Sequence, residues 1–149
     1  GLKMQCNLVP HLSYCRPLCV MLKKEKSMQK TWEQYFKDQH EICEKFDSEW
    51  VLSDLELKIG IADNVLTDLI PINGLRHPIE KGTTGWYIWS GESFSDKPDF
   101  FKPYCIKHLT ELKPDIIKYL GLPPGFRFLV DNKGFEDIWE DKNLLDNEF

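Results

Sequence analysis

No apolar run in these 149 residues approaches the ~20 that a membrane-spanning helix requires. Signatures of hydrolytic catalysis are missing too, since neither a Gly-x-Ser-x-Gly elbow nor a His-Glu-x-x-His pair occurs. The four histidines, His11, His40, His77 and His108, are dispersed and read as surface or packing residues rather than bases. Lys81-Gly82-Thr83 lacks the upstream glycine spacing of a phosphate-binding loop, which argues against nucleotide binding. Positive charge is scarce: 19 Lys and Arg stand against 24 Asp and Glu, a net charge of −5. Nucleic acid is therefore a poor partner, because phosphate binding rests on clustered cations.

Cysteine is present five times, at Cys6, Cys15, Cys19, Cys43 and Cys105. The odd count and scattered spacing predict reduced thiols rather than a disulfide framework. His11, Cys15 and Cys19 fall four residues apart, yet Pro17 interrupts the run, and no Cys-x-x-Cys knuckle or fourth ligand accompanies them. Buried or incidental thiols are preferred to a zinc site, so no metal or cofactor is expected. Lys3, Pro10, His11, Arg16 and Pro17 break up the first 25 residues, and no small-residue cleavage site follows them. A soluble cytoplasmic protein that binds no membrane is the expected class.

What is present suffices for one domain over 1–149, with 42% apolar and 29% charged residues and a poorly readable segment at 1–26. Between Ser27 and Phe46 the apolar residues Trp32, Tyr35, Phe36, Ile42, Cys43 and Phe46 recur at helical spacing, with Ser27 as N-cap and Asp47-Ser48 as exit. Leu55, Leu57, Ile59 and Ile61 alternate with Glu56, Lys58 and Gly60, which predicts a strand with one buried face. Asp63-Asn64 marks a turn, Val65 to Ile72 a second extended piece, Asn73-Gly74 and Pro78 a loop, and Gly82 to Gly85 a flexible stretch. Gly85 to Ser90 predicts a central strand, since Trp86 and Ile88 load one face and Tyr87 and Trp89 the other. Gly91-Glu92 then turns the chain, and Ser95 to Pro98 forms an exposed loop.

Tyr104 to Leu120 reads as helix interrupted at Pro114, which either opens a new helix or follows a kink at Lys113. Phe126–Asp131 and Phe135–Trp139 flank Asn132-Lys133 as a hairpin. A two-residue loop places Phe126 opposite Trp139, Phe128 opposite Asp137 and Val130 opposite Phe135, with Arg127 diagonal to Glu136. A bulge at Gly134 shifts that register. Arg127 is either a structural partner of Glu136 or Glu92 or a ligand clamp, and the first is preferred. Trp139 is either a core anchor or an exposed hot spot among acids.

Four motifs crowd the C-terminal half: Gly-Trp-Tyr-Ile-Trp-Ser-Gly-Glu at 85–92, Asp-Phe-Phe at 99–101, Leu-Pro-Pro-Gly-Phe-Arg-Phe-Leu at 122–129 and Phe-Glu-Asp-Ile-Trp-Glu-Asp at 135–141. Over about residues 82–145 this combination resembles the polymorphic-toxin immunity proteins of the immunity-protein-33 family. Its pattern maps onto Gly85, Trp86, Gly91, Glu92, Gly125, Arg127, Phe128, Glu136, Asp137 and Trp139, while the first 80 residues match no nameable pattern. The resemblance implies a non-enzymatic bacterial protein that binds one cognate toxin.

Charge supplies a surface for that role. From Asp131 to Phe149 seven acids face only Lys133 and Lys142, a local balance equal to the whole net charge of −5. The expected partner is thus a basic protein, met by Glu92, Asp131, Glu136, Asp137, Trp139, Glu140 and Asp141. Gly85, Trp86, Trp89, Gly91, Gly125, Arg127 and Phe128 are expected to build the scaffold beneath. The competing reading is a ligand-binding or enzymatic pocket around Trp86, Trp89 and Arg127. The expected fold is α+β: an N-terminal amphipathic helix, a mostly antiparallel sheet of about five strands, and a kinked or split helix on one face.

Overall fold

Thr31, rather than Ser27, caps the first helix in the computed structural model, which describes residues 30–92, 95 and 97–146. The readings made for His11, Cys6, Cys15, Cys19 and Ser27 lie outside those residues. A reciprocal box fixes the start of α1 (Trp32–Lys45): Gln34 N–H donates to Thr31 Oγ1 at 3.3 Å, and Thr31 N–H donates to Gln34 Oε1 at 2.8 Å. At the other end Asp47 takes φ 56°, and Ser48 N–H returns to the Cys43 carbonyl at 2.8 Å, so the expected Asp47-Ser48 exit is a Schellman turn. The inner face of α1 buries Tyr35, Gln39, Ile42 and Cys43 against a 3₁₀ helix at Pro114–Tyr119. Gln39 amide N–H donates to the Ile117 carbonyl and its oxygen accepts the Trp50 indole N–H, which satisfies a polar group inside that seam.

Among the described residues six strands form one sheet in the order β4-β1-β3-β2-β5-β6. They are β1 (Lys58–Ala62), β2 (Ile72–Arg76), β3 (Thr83–Ser90), β4 (Phe101–Cys105), β5 (Phe126–Val130) and β6 (Glu136–Glu140). Among the described residues only the β1–β3 pair is parallel, so the fold is α+β with a mostly antiparallel sheet. The sixth strand is β4, which corrects the placement of Tyr104 and Cys105 in a helix. Pro103 cannot donate to a ladder, but β4 is an edge strand and tolerates it. The helical segment divides as expected at Pro114, although its pieces are short: a 3₁₀ turn at Ile106–His108, α2 (Leu109–Leu112), and the 3₁₀ helix headed by Pro114.

Local chemistry accounts for the other departures. β1 starts at Lys58 rather than Leu55, because Asp54 Oδ1 accepts the Glu56 N–H at 2.9 Å and closes a turn there. Val65 belongs to a 3₁₀ helix (Asp63–Leu66), not to an extended piece. Asn73-Gly74 is interior to β2 rather than a loop. A Cβ on Gly74 would lie 2.2 Å from the Phe128 ring, so this glycine gives room to an aromatic on the neighbouring strand. β3 already begins at Thr83, within the stretch expected to be flexible. Between the pairs Lys58–Thr83 and Gly60–Tyr87 it carries extra residues, and Gly85 absorbs that irregularity at φ +89°.

Alternation along the strands divides the aromatics. Ile59, Ile61, Trp86, Ile88, Phe128 and Ile138 are buried on the face that meets Tyr119 and Leu120. Each such side chain removed from water contributes about 1.5–3 kcal/mol. Tyr87 and Trp89 lie on the opposite face, in edge-to-face contact with Phe101. Centrality of β3, expected from its two bulky faces, is what the topology shows. No helix among the described residues is long and apolar enough to cross a membrane.

Candidate partner-binding surface

The β5–β6 hairpin carries most of the acids singled out from sequence, and its turn sets their directions. Asp131 Oδ1 accepts N–H groups from Lys133 at 2.8 Å and Phe135 at 2.9 Å, while Gly134 adopts φ +93°. This longer turn replaces the two-residue loop and moves the register by one. The pairs are Phe126–Glu140, Arg127–Trp139, Phe128–Ile138, Leu129–Asp137 and Val130–Glu136. Ile138 therefore joins Phe128 in the core, and Asp137 and Trp139 project from the other face of an edge strand.

Arg127 is paired with Asp141, at 3.1 Å, and not with Glu136 or Glu92. Its guanidinium also lies 5.7 Å from the centre of the Trp139 ring. The register shift is the cause, since it sets Arg127 directly opposite Trp139 and two residues from Asp141. Trp139 remains 38% exposed, so it is neither a core anchor nor fully free.

Glu136 turns inward. Its side chain is only 16% exposed, bonded to Lys45 Nζ at 2.7 Å and to the Tyr119 hydroxyl at 2.6 Å, with Lys118 at 3.9 Å. Burial pushes its carboxyl up, but the hydrogen bonds from Lys45 and Tyr119 and the neighbouring lysine charges outweigh burial and hold it below its ordinary 4.5. In acid the unfolded chain takes up this proton first. The stability Glu136 contributes is therefore present above about pH 4.5 and is lost as pH falls through its lower folded value. Glu136→Gln should flatten the acid limb of a urea-midpoint-against-pH curve, and an unchanged limb would show that the carboxylate does not tie β6 to α1.

The remaining acids divide between two ends of the sheet. Glu92 follows Ser90, and Asp131 follows Val130, in the row Ser90–Ile72–Val130–Glu136. Trp139, Glu140 and Asp141 lie toward the opposite end with Arg127. Glu92, Asp137 and Glu140 are exposed and make no hydrogen bond or ion pair with described residues. Asp141 and Glu136 are already paired inside the chain, and Asp131 spends one oxygen on its turn.

The scaffold residues are packed as structural elements. Trp86 is buried with its indole N–H donating to Ser53 Oγ and the Leu120 carbonyl. Gly91 and Gly125 sit at turns with φ +82° and +94°, and Phe128 stacks on Tyr119 with centroids 4.7 Å apart. Trp86 and Trp89 point to opposite faces and both are buried. They cannot line one pocket with Arg127, which corrects the pocket reading.

Among the described residues no group of three or more His, Cys, Asp or Glu could hold a metal ion. His40 stacks on Trp50, His77 Nδ1 meets the Leu144 carbonyl at 3.2 Å, and burial, then Lys107, lowers the pKa of half-buried His108. Cys43 is a free buried thiol whose pKa is raised by burial, whereas Cys105 is disulfide-bonded. The expectation of reduced thiols is thus corrected at Cys105: chain spacing alone does not report which sulfurs approach in space. Sequence reading also missed Arg76, a lone cation in Ile-Asn-Gly-Leu-Arg with no periodic signal. It is fully buried, donates to the carbonyls of Thr84, Val51, Leu122 and Leu52, and lies 5.6 Å from the Trp86 ring centre.

A family model for the Imm33-like domain matches residues 38–141. The chain belongs to that family. The match spans α1 from Asp38 and the whole sheet, so kinship reaches well into the first 80 residues, where sequence reading found no pattern. No curated protein and no solved structure matches the chain.

Proposed function

We propose that this Imm33-like domain is a non-enzymatic immunity protein that binds a cognate bacterial toxin and blocks it. The observation that carries the proposal is the outward face of β6, where exposed Asp137 stands beside a part-exposed Trp139 stiffened by Arg127, with exposed Glu140 next to it at the strand's end. Family membership supplies the class of partner. An aromatic anchor among uncompensated carboxylates suits a basic surface, because the ring supplies contact area and the acids supply steering. Glu92, Asp131, Glu136 and Asp141 complete the proposed contact set, the last two chiefly by holding the hairpin in place.

Asp137→Lys plus Glu140→Lys reverses the two free charges and leaves the Arg127–Asp141 pair intact. Pull-down and stopped-flow association with the cognate toxin should show at least about tenfold weaker binding, mostly in the association rate, and a reduced salt dependence. Full-strength binding by the folded double variant would remove β6 from the interface.

A further inference from the structure

Segments distant in the chain close around a half-open cleft of about 770 Å³ at the Ser90 end of the sheet. Its walls come from α1, the loop before β2, the 3₁₀ helix at Pro114–Tyr119 and the start of the β5–β6 turn. That size is within the range of clefts that enclose a ligand or a partner's side chains.

Cations of the chain itself already occupy part of it. Lys30 Nζ is 2.6 Å from Asp38 Oδ2 and 5.8 Å from the Tyr35 ring centre, and Lys118 Nζ is 5.2 Å from that of Tyr119. Two other carboxylates of the lining, Asp68 and Asp115, make no hydrogen bond or ion pair with described residues. Lys113 also lines the cleft and its ammonium makes no hydrogen bond or ion pair with described residues, and Asp131 adds a further carboxylate. Asp115 also acts on both phenols, adding to burial in raising the pKa of Tyr35 and Tyr119. On the rim Leu69 and Ile70 are exposed, at 48% and 36%. Apolar rim, aromatic wall and carboxylates that outnumber the lysines of the lining together match a long side chain with a cationic end.

We infer that this cleft receives an arginine or lysine side chain of a protein partner, its cation held by Asp68 and Asp115 and its stem lying along Leu69 and Ile70. As an account of how the toxin is gripped, this rests on the toxin-binding reading. The cleft chemistry can be tested without any toxin. Nα-acetyl-arginine methylamide, its lysine counterpart and the uncharged citrulline counterpart would each be titrated into the folded chain while amide resonances are recorded. Saturable shifts at 68–70 and 115–119 are expected for the two cations at millimolar concentration and not for citrulline. Asp68→Asn plus Asp115→Asn, both at exposed positions, should weaken them at least about tenfold. Absence of shifts with either cation, equal shifts with citrulline, or an unaltered response in the double variant would overturn the inference. Because neither result depends on β6, failure here leaves the toxin reading standing, and failure of the toxin pull-down leaves the cleft standing.

Discussion

Arg76→Ala is expected to destabilise the domain by at least about 4 kcal/mol, read as a urea midpoint shift at constant slope. The guanidinium is fully buried and has no carboxylate partner among the described residues, where its charge is balanced by four backbone carbonyls and the Trp86 ring. Hydrogen bonds to a charged group contribute roughly 1.5–3 kcal/mol each, and carbonyls left buried without donors carry a further penalty. Those terms overlap and are offset by relief of charge burial, which is why their simple sum is not the expectation. Two of the carbonyls, on Val51 and Leu52, belong to the segment linking α1 to β1, and a third, on Leu122, lies just before β5. One side chain therefore holds irregular backbone to the sheet from two directions. Arg76→Lys keeps the charge but not the planar fork, and should recover only part of the loss. Burial lowers the guanidinium pKa to about 10, so it stays protonated at neutral pH. The unfolded chain holds this proton more tightly, so stability rises with pH only above about 10, and below that the contribution is flat. A loss under about 1 kcal/mol in Arg76→Ala would show that the carbonyls find water instead.

Gly85→Ala should be of similar severity. A Cβ at this position would lie 2.0 Å from the His77 carbonyl oxygen, on backbone at φ +89°. The neighbour is main chain, and it cannot move without breaking the 2.8 Å bond from His77 N–H to the Gly85 carbonyl. Left-handed strain alone costs about 1–2 kcal/mol, and the collision adds to it. We expect a loss of about 4 kcal/mol or failure to accumulate as folded protein. Gly82→Ala is the matched control: it too has positive φ, at +83°, but nothing lies within 4 Å of its Cβ position, so only the strain should register. Equal effects at the two sites would mean that the His77 contact is not what demands glycine.

Much of this architecture was legible because the burial pattern is local. Tyr35, Ile42 and Cys43 on α1, and Trp86, Ile88 and Trp89 on β3, announce their elements by spacing alone. Pro114 likewise announces a helix start, whatever the helix type. What was not legible depends on residues far away. Gly74 looks like a loop signal until Phe128 is set against it, and Tyr104-Cys105 looks helical until Ile59 and Lys58 become its strand partners. The hairpin register turned on how Asp131 folds its own turn, a choice that moved Ile138 into the core and Arg127 onto Asp141. Of the seven residues expected to meet a partner, the sequence could rank acids by position but not by pairing. Glu136 and Lys45 are 91 residues apart, and only the fold reveals that this carboxylate is already committed. The cleft was invisible for the same reason, its walls coming from segments with no shared motif.

The position of β1 constrains how the chain can be made. Its neighbours are β3 and β4, both later in sequence, and the 3₁₀ helix that covers α1 comes later still. During synthesis β1 and α1 therefore leave the ribosome before these partners, and the central zipper closes only once residues 83–90 have emerged. Truncations that stop before Thr83 should yield insoluble or chaperone-bound product, whereas ending the chain after Leu145 preserves every strand pair.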